Sequence, residues 1–171
     1  MKYQSPGYWA QVRMHLPITD VILWLAECEV EAGDLEQARS YVNMIRARAA
    51  DPVSYVYKYL DDANPGNGFS TTPAANYKVG LYTAAWTDQA VARKAVHFER
   101  RLELSMEGHR FFDLVRWNEA EATINKYLSY EKNLRSYLSD AAFTTNQDEY
   151  MPIPQRQIDL SKGTLTQNPG Y

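Results

Sequence analysis

"PITDVILWLAECEVEAGDLEQARSYVNMIRARAADP", residues Pro17 to Pro52, decides how the chain begins to fold. Val21, Leu25 and Cys28, with Ile22, Ala26 and Val30, recur at helical steps and form an apolar stripe. Gly33 follows as a C-terminal helix stop, and Asp34 supplies an N-cap for a second helix. That second segment carries Leu35, Ala38, Val42 and Ile45 at the same steps and ends in the basic run Arg46 to Arg48, which suits a helix C-terminus. Pro17 fits a first helical turn, and Pro52 ends the run. The stretch therefore predicts a helical hairpin over residues 17–50.

Relative to Gly33, small residues stand at Ala26 and Ala38, the spacing of a tetratricopeptide hairpin, where two antiparallel helices approach closely. One such copy is legible, whereas a stable array ordinarily needs about three. The next segment, residues 51–87, sustains no helical period and is punctuated by "NPGNG" and "TTPAAN". Loops beyond about 12–15 residues are uncommon in compact domains and are usually functional or disordered. This one is rich in rings, with Tyr55, Tyr57, Tyr59, Phe69, Tyr77, Tyr82 and Trp86. Disordered segments are poor in aromatics, so an ordered, functional excursion is expected. Across the whole chain the 13 Tyr and 4 Trp are the compositional outlier.

Helix resumes at Asp88, a plausible N-cap, with Val91, Ala95, Phe98 and Leu102 in step toward Met106. Gly108 kinks or breaks it, and a further helix carries Phe112, Val115, Ile124 and Leu128 on one face, giving a helical pair over 88–130. Residues 148–171 read as an extended tail, because Pro152 and Pro154 forbid regular helix, with a short turn at Gln155 to Leu160.

"FERRLELSMEGHRFFDLVRWNE" (Phe98 to Glu119) places Glu99, Glu103 and Glu107 four residues apart. Like charges at that spacing repel by a few tenths of a kcal/mol per pair, on the order of 0.2–0.5. A pair of carboxylates suits acid–base chemistry on a glycoside, but a general acid needs a raised pKa. Arg100, Arg101, Arg110 and Arg116 surround these acids and favour their ionised form. The pattern therefore reads as a structural ion-pair network of Glu99, Arg100, Glu103, Glu107, Arg110, Asp113 and Arg116 that clamps helices together.

Other chemistries find little support. The net charge of −3 argues against a nucleic-acid binder. His15, His97 and His109 are scattered, and "HFERR" lacks the second histidine of a zinc helix. "DDANPGNG" (Asp61 to Gly68) faintly resembles a calcium loop, but Pro73 stands where the bidentate acid would be, so no metal is expected. Phosphate-loop, dinucleotide and nucleophile-elbow motifs are absent, and no cofactor is expected. No apolar run reaches the roughly 18 residues of a membrane span. The opening "MKYQSPGYWAQVRMHLP" has no apolar core of a signal peptide. Cys28 is expected as a small buried hydrophobe and not as a lipid-attachment site. The remaining candidate is the aromatic loop. Tyr and Trp offer rigid faces with a polar handle, which suits sugar rings. Trp86, Tyr82, Tyr77, Phe69, Tyr57 and Asn67 are the candidate ligand residues, with Asn64, Asn76 and Lys78 as further hydrogen-bonding groups. The alternative is that these rings form a satellite core under the loop.

Three stretches together resemble the C-terminal part of the SusD/RagB family of outer-membrane glycan-binding lipoproteins. They are the hairpin with Ala26–Glu27 and its closing "IRARA", the motif from Glu99 to Trp117, and the ending "MPIPQRQIDLSKGTLTQNPGY". The resemblance implies an all-α fold of tetratricopeptide-like helical hairpins, a long irregular aromatic-rich loop and an extended C-terminal tail. It also implies a non-enzymatic role: binding oligosaccharide or polysaccharide at the cell surface and passing it to a SusC-type TonB-dependent outer-membrane transporter. Family members are longer and carry a signal, a lipidated cysteine and additional repeats, as expected if this chain corresponds to a C-terminal portion. A rival reading from the residues is a generic tetratricopeptide-like protein-interaction module without glycan binding.

Overall fold

A computed structural model describes residues 18–171. The readings made for the opening segment, His15 and Pro17 lie outside the described residues. The chain divides into two compact units, with the division between Leu104 and Ser105.

Among the described residues, the first unit is built on three helices, α1 (Ile18–Ala32), α2 (Leu35–Ala50) and α3 (Gln89–Glu103). Gly33 takes a φ of 93°, a left-handed conformation that glycine adopts without a Cβ penalty, and so reverses the chain between α1 and α2. The Asp34 carboxylate accepts from Gln37 N–H at 3.0 Å, starting α2. Asp88 does the same for α3, accepting from the N–H groups of Ala90 and Val91 at 2.7 and 3.0 Å. Leu23, Ala26 and Val30 of α1, Ala38, Val42 and Ile45 of α2, and Ala92 and Val96 of α3 form one buried core. Ala26 and Ala38 are both fully buried, so small side chains sit where the helix pair is closest-packed.

Two faces differ from the periodic reading. On α1 the core-facing large residue is Leu23, while Leu25 and Cys28 are exposed. This helix is apolar nearly all round, so period alone does not select a face. On α3 the expected stripe of Val91, Phe98 and Leu102 is exposed, and Ala92 and Val96 face the core instead. The reason lies one turn further along. The buried line of α3 continues as Glu99 and Arg100, charged residues that an apolar count passes over.

Those charges join the three helices. Arg100, fully buried, pairs with the fully buried Asp20 of α1 at 2.8 Å, and its guanidinium lies 5.9 Å from the Trp24 ring centre. Glu99 receives Arg46 of α2 at 2.7 Å, and Glu103 receives Arg48 of α2 at 2.5 Å. Glu107 does not extend the ladder, because α3 ends at Glu103 and the chain turns before it.

Residues between α2 and α3 are not wholly irregular. A two-stranded antiparallel ribbon, β1 (Tyr57–Tyr59) with β2 (Phe69–Pro73), pairs Tyr57 with Pro73 and Tyr59 with Phe69, with an irregularity between those pairs. Tyr, Phe and Thr fit a pleated surface, which overrides the punctuation that pointed to loop. The fold is thus mainly helical with one small ribbon.

The second unit contains α4 (His109–Arg116), α5 (Ala120–Glu131) and α6 (Gln155–Leu160). Gly108, at φ 84°, precedes α4. The expected single helix beyond it is two: Asn118 at φ 57° breaks the run, a left-handed conformation that Asn tolerates. The core is Leu114, Ala120 and Phe143, with Val115 and Ile124 against it, and Phe112 is exposed, contrary to its expected place on the apolar face. Asp113 pairs with Arg116 at 3.0 Å, and Arg110 and Arg116 both lie over the Trp117 ring, 5.7 and 4.9 Å from its centre. The Glu107 carboxylate lies 4.0 Å from His109 Nε2. The tail closes on itself. Gln167 both accepts from Ile153 N–H (2.7 Å) and donates to its carbonyl (2.9 Å), and the Tyr171 hydroxyl donates to the Tyr150 carbonyl.

Candidate ligand-binding loop

The aromatic loop has two halves. In the half nearest α3, the backbone from Gly80 to Trp86 is fastened to α2. Asn43 accepts from Tyr82 N–H at 2.8 Å and donates to the Tyr82 carbonyl at 3.0 Å, completing both backbone groups as a neighbouring strand would. Arg39 also donates to that carbonyl, and Arg46 donates to the Gly80 carbonyl. The Arg46 guanidinium lies 4.8 Å from the Tyr82 ring centre, within cation–π range, while its other nitrogen holds Glu99. Arg46 thereby connects α2, α3 and the loop. Tyr82 and Trp86 meet edge to face at 5.3 Å and pack, half-buried, against the helical core. Gln89 fastens the loop's end by donating to the Val30 carbonyl at 2.7 Å.

The other half folds on itself. Tyr55 and Tyr77 stack at 4.2 Å, nearly parallel at 13°. The Tyr77 hydroxyl accepts from Val56 N–H at 3.0 Å, and the Tyr55 hydroxyl donates to the Ala50 carbonyl at 3.0 Å, tying the base of the ribbon to the end of α2. The Tyr57 hydroxyl donates to the Pro52 carbonyl at 2.9 Å. Across the ribbon, Tyr59 and Phe69 stack at 5.2 Å and remain open to solvent, 44% and 63% exposed. Asp61 shapes the turn between the strands by accepting from Ala63 N–H at 2.9 Å, with the Asn67 amide 3.5 Å from its other oxygen.

The candidate ligand residues therefore fall in different settings. Trp86 and Tyr82 are together, on the core. Tyr57 and Phe69 are on the ribbon, Asn67 is in its turn, and Tyr77 is at its base. Tyr59 and Tyr55 complete two of the ring pairs and were not among the candidates. Their signal was the alternation Tyr55–Tyr57–Tyr59, a strand period within an apparent loop. The arginines that reach Glu99 and Glu103 were also missed, because Arg46 and Arg48 lie far away in sequence and read locally as a helix C-terminus. Near the loop, Arg39 also pairs with Glu36 and holds that carboxyl below its ordinary value. Among the described residues, no group of three or more His, Cys, Asp or Glu is placed to hold a metal ion.

Over residues 5–171 the chain matches the SusD family, and it belongs to that family. It is also similar to the SusD-like protein P25 of Formosa agariphila, with 33% identity over 166 residues, covering 93% of this chain and 25% of that protein. The chain thus spans about a quarter of the length of this relative. Among the described residues, no helix is long and apolar enough to cross a membrane.

Proposed function

We propose that this chain belongs to a non-enzymatic glycan-binding protein of nutrient uptake. It acts at the outer-membrane surface, captures oligosaccharide on the loop between α2 and α3, and delivers it to a SusC-type TonB-dependent transporter. Membership of the SusD family carries this reading, and the ordered loop with exposed rings supports it. The α1–α2 hairpin serves as a tetratricopeptide-like scaffold unit, and lipid anchoring belongs to the whole protein. Catalysis by Glu103 and Glu107 is disfavoured, because Glu103 is bonded to Arg48 across the helix interface and Glu107 lies in the turn beyond α3, beside His109. A general acid must instead hold a proton next to its substrate.

A titration of the folded chain with plant, host and microbial oligosaccharides, followed by tryptophan fluorescence and calorimetry, tests the proposal. Saturable binding to one glycan class without turnover is the expected outcome. A cooperatively melting chain that binds no glycan would sink it and favour the protein-interaction reading.

A further inference from the structure

Asn67 and Gly68 close the turn that joins the two strands of the ribbon. Of the chain's nine asparagines, Asn67 alone is followed by glycine. The nitrogen of the residue after an asparagine can attack the side-chain amide carbon and close a cyclic imide. A Cβ on that following residue crowds the approach, and glycine has none. Asn64 and Asn168 lack the attacking group altogether, because each precedes a proline.

The turn leaves this pair open. Asn67 is exposed, and its amide nitrogen makes a long contact, 3.5 Å from the Asp61 carboxylate. The Gly68 N–H donates to the Pro65 carbonyl at 3.3 Å, longer than an ordinary bond of that type. Gly68 takes a φ of 95°, and a Cβ placed on it would meet nothing within 4 Å, so the attacking side is uncrowded. Asn43 and Asn125 stand in the opposite condition. Each holds the N–H and the carbonyl of one distant residue, Asn43 those of Tyr82 and Asn125 those of Phe143 at 2.9 Å both.

We infer that Asn67 is a modification site, at which the folded chain turns its own asparagine into aspartate and isoaspartate. Hydroxide removes the Gly68 amide proton, and the nitrogen attacks the Asn67 Cγ. The new N–Cγ bond forms, the Cγ–Nδ2 bond breaks, and the nitrogen leaves as ammonia with a proton from water. Water then opens the imide at either carbonyl. The sum is hydrolysis of an amide, with water as the co-reactant and no change of oxidation state. Opening at the backbone carbonyl routes the chain through Cγ as isoaspartate, and opening at Cγ gives aspartate.

Both products alter the ribbon. Aspartate replaces the amide that faces Asp61 with a like charge, which is repulsive. Isoaspartate lengthens the turn by a backbone carbon, directly before the Leu60 N–H to Gly68 carbonyl bond (3.0 Å) and the Tyr59–Phe69 pair. Turn length sets the register of a hairpin, so those pairings are lost. The inference is independent of what the loop binds.

The test is peptide mapping by mass spectrometry on the full chain, held for successive days in mildly alkaline buffer, folded and in denaturant. In the folded chain Asn67 should be lost first, at a rate that rises with hydroxide concentration. It should exceed Asn43 and Asn125, which must first leave two hydrogen bonds each, by at least about tenfold. Aspartate and isoaspartate peptides should separate chromatographically, and the Asn67→Gln chain should keep its mass. Hydrogen exchange at the Leu60 N–H should quicken in the isoaspartate fraction. A folded chain that keeps Asn67 while the denatured chain loses it would overturn the inference, since the turn would then protect the site. Loss at Asn67 no faster than at Asn43 would overturn it as well. Unchanged Leu60 exchange after modification would overturn the effect on register.

Discussion

Tyr82 and Trp86 at one end of the loop, and Tyr59 and Phe69 at the other, are the same kinds of residue in opposite circumstances. The first pair meets edge to face on the helical core, beneath a backbone held by Asn43, Arg39 and Arg46. The second pair stacks on a ribbon that is bonded mainly to itself and open to water. The difference teaches that aromatic content alone does not mark a binding surface. What separates the two is whether a helix offers side chains that complete the loop's backbone groups. Where it does, the rings are drawn onto the core and contribute stability. Where it does not, the chain must satisfy its own backbone by pairing strands, and the rings stay outward.

Substitutions break this comparison in a definite order. Arg46→Ala should have the largest effect, since it strips the partner from the buried Glu99, the bond to Gly80 and the cation over Tyr82 together. Removing one member of a buried pair costs about 3–5 kcal/mol, and the small residual exposure of Arg46 places the loss toward the lower end. Denaturant unfolding would measure it, and Trp86 emission should shift in the native baseline. A variant within about 1 kcal/mol of the parent would deny Arg46 its joining role. Asn43→Ala comes next, leaving the Tyr82 N–H without its side-chain partner and its carbonyl with Arg39 alone, at about 1–3 kcal/mol. It should act on the pinned half of the loop, read as a lower unfolding midpoint and a shift in Trp86 emission. Phe69→Ala should show the reverse, with a stability change below about 1 kcal/mol because the ring is largely exposed, and with lost binding.

The smallest effect concerns pH. Arg93 of α3 donates two hydrogen bonds to Glu31 of α1, at 2.6 and 2.7 Å, and holds that carboxyl below its ordinary value of 4.5. A carboxyl lowered in the folded state stabilises it at pH above the unfolded value and loses that contribution as pH falls through the lowered one. Stability should therefore decline below about pH 4.5 in part through this pair. Both side chains are more than a third exposed, so solvent screens the pair and its contribution is small. Glu31→Gln should remove this increment near neutrality and flatten the acid limb slightly. An acid limb unchanged by Glu31→Gln would show the pair to be thermodynamically silent.

The α1–α2 hairpin, its glycine turn, both aspartate N-caps and the short helix near Gln155 were legible because they are local. A cap or a turn is decided by residues within a few positions of each other, and side-chain chemistry states it directly. The core-facing sides of α1 and α3 were not legible. One helix is apolar around most of its circumference, and the other carries its buried line through Glu99 and Arg100. The halves of the loop were indistinguishable for a related reason, since nothing near Tyr82 announces that Asn43 will complete its backbone.

By itself, then, the sequence determined the helices of the hairpin, the family, and the presence of an aromatic excursion between α2 and α3. Tertiary structure alone decided which arginine meets which acid, which rings are drawn onto the core, and which remain outward. Those outcomes depend on groups some forty or more positions apart being brought within about 3 Å, and a hydrogen bond at that range is fixed by packing and not by any neighbour along the chain.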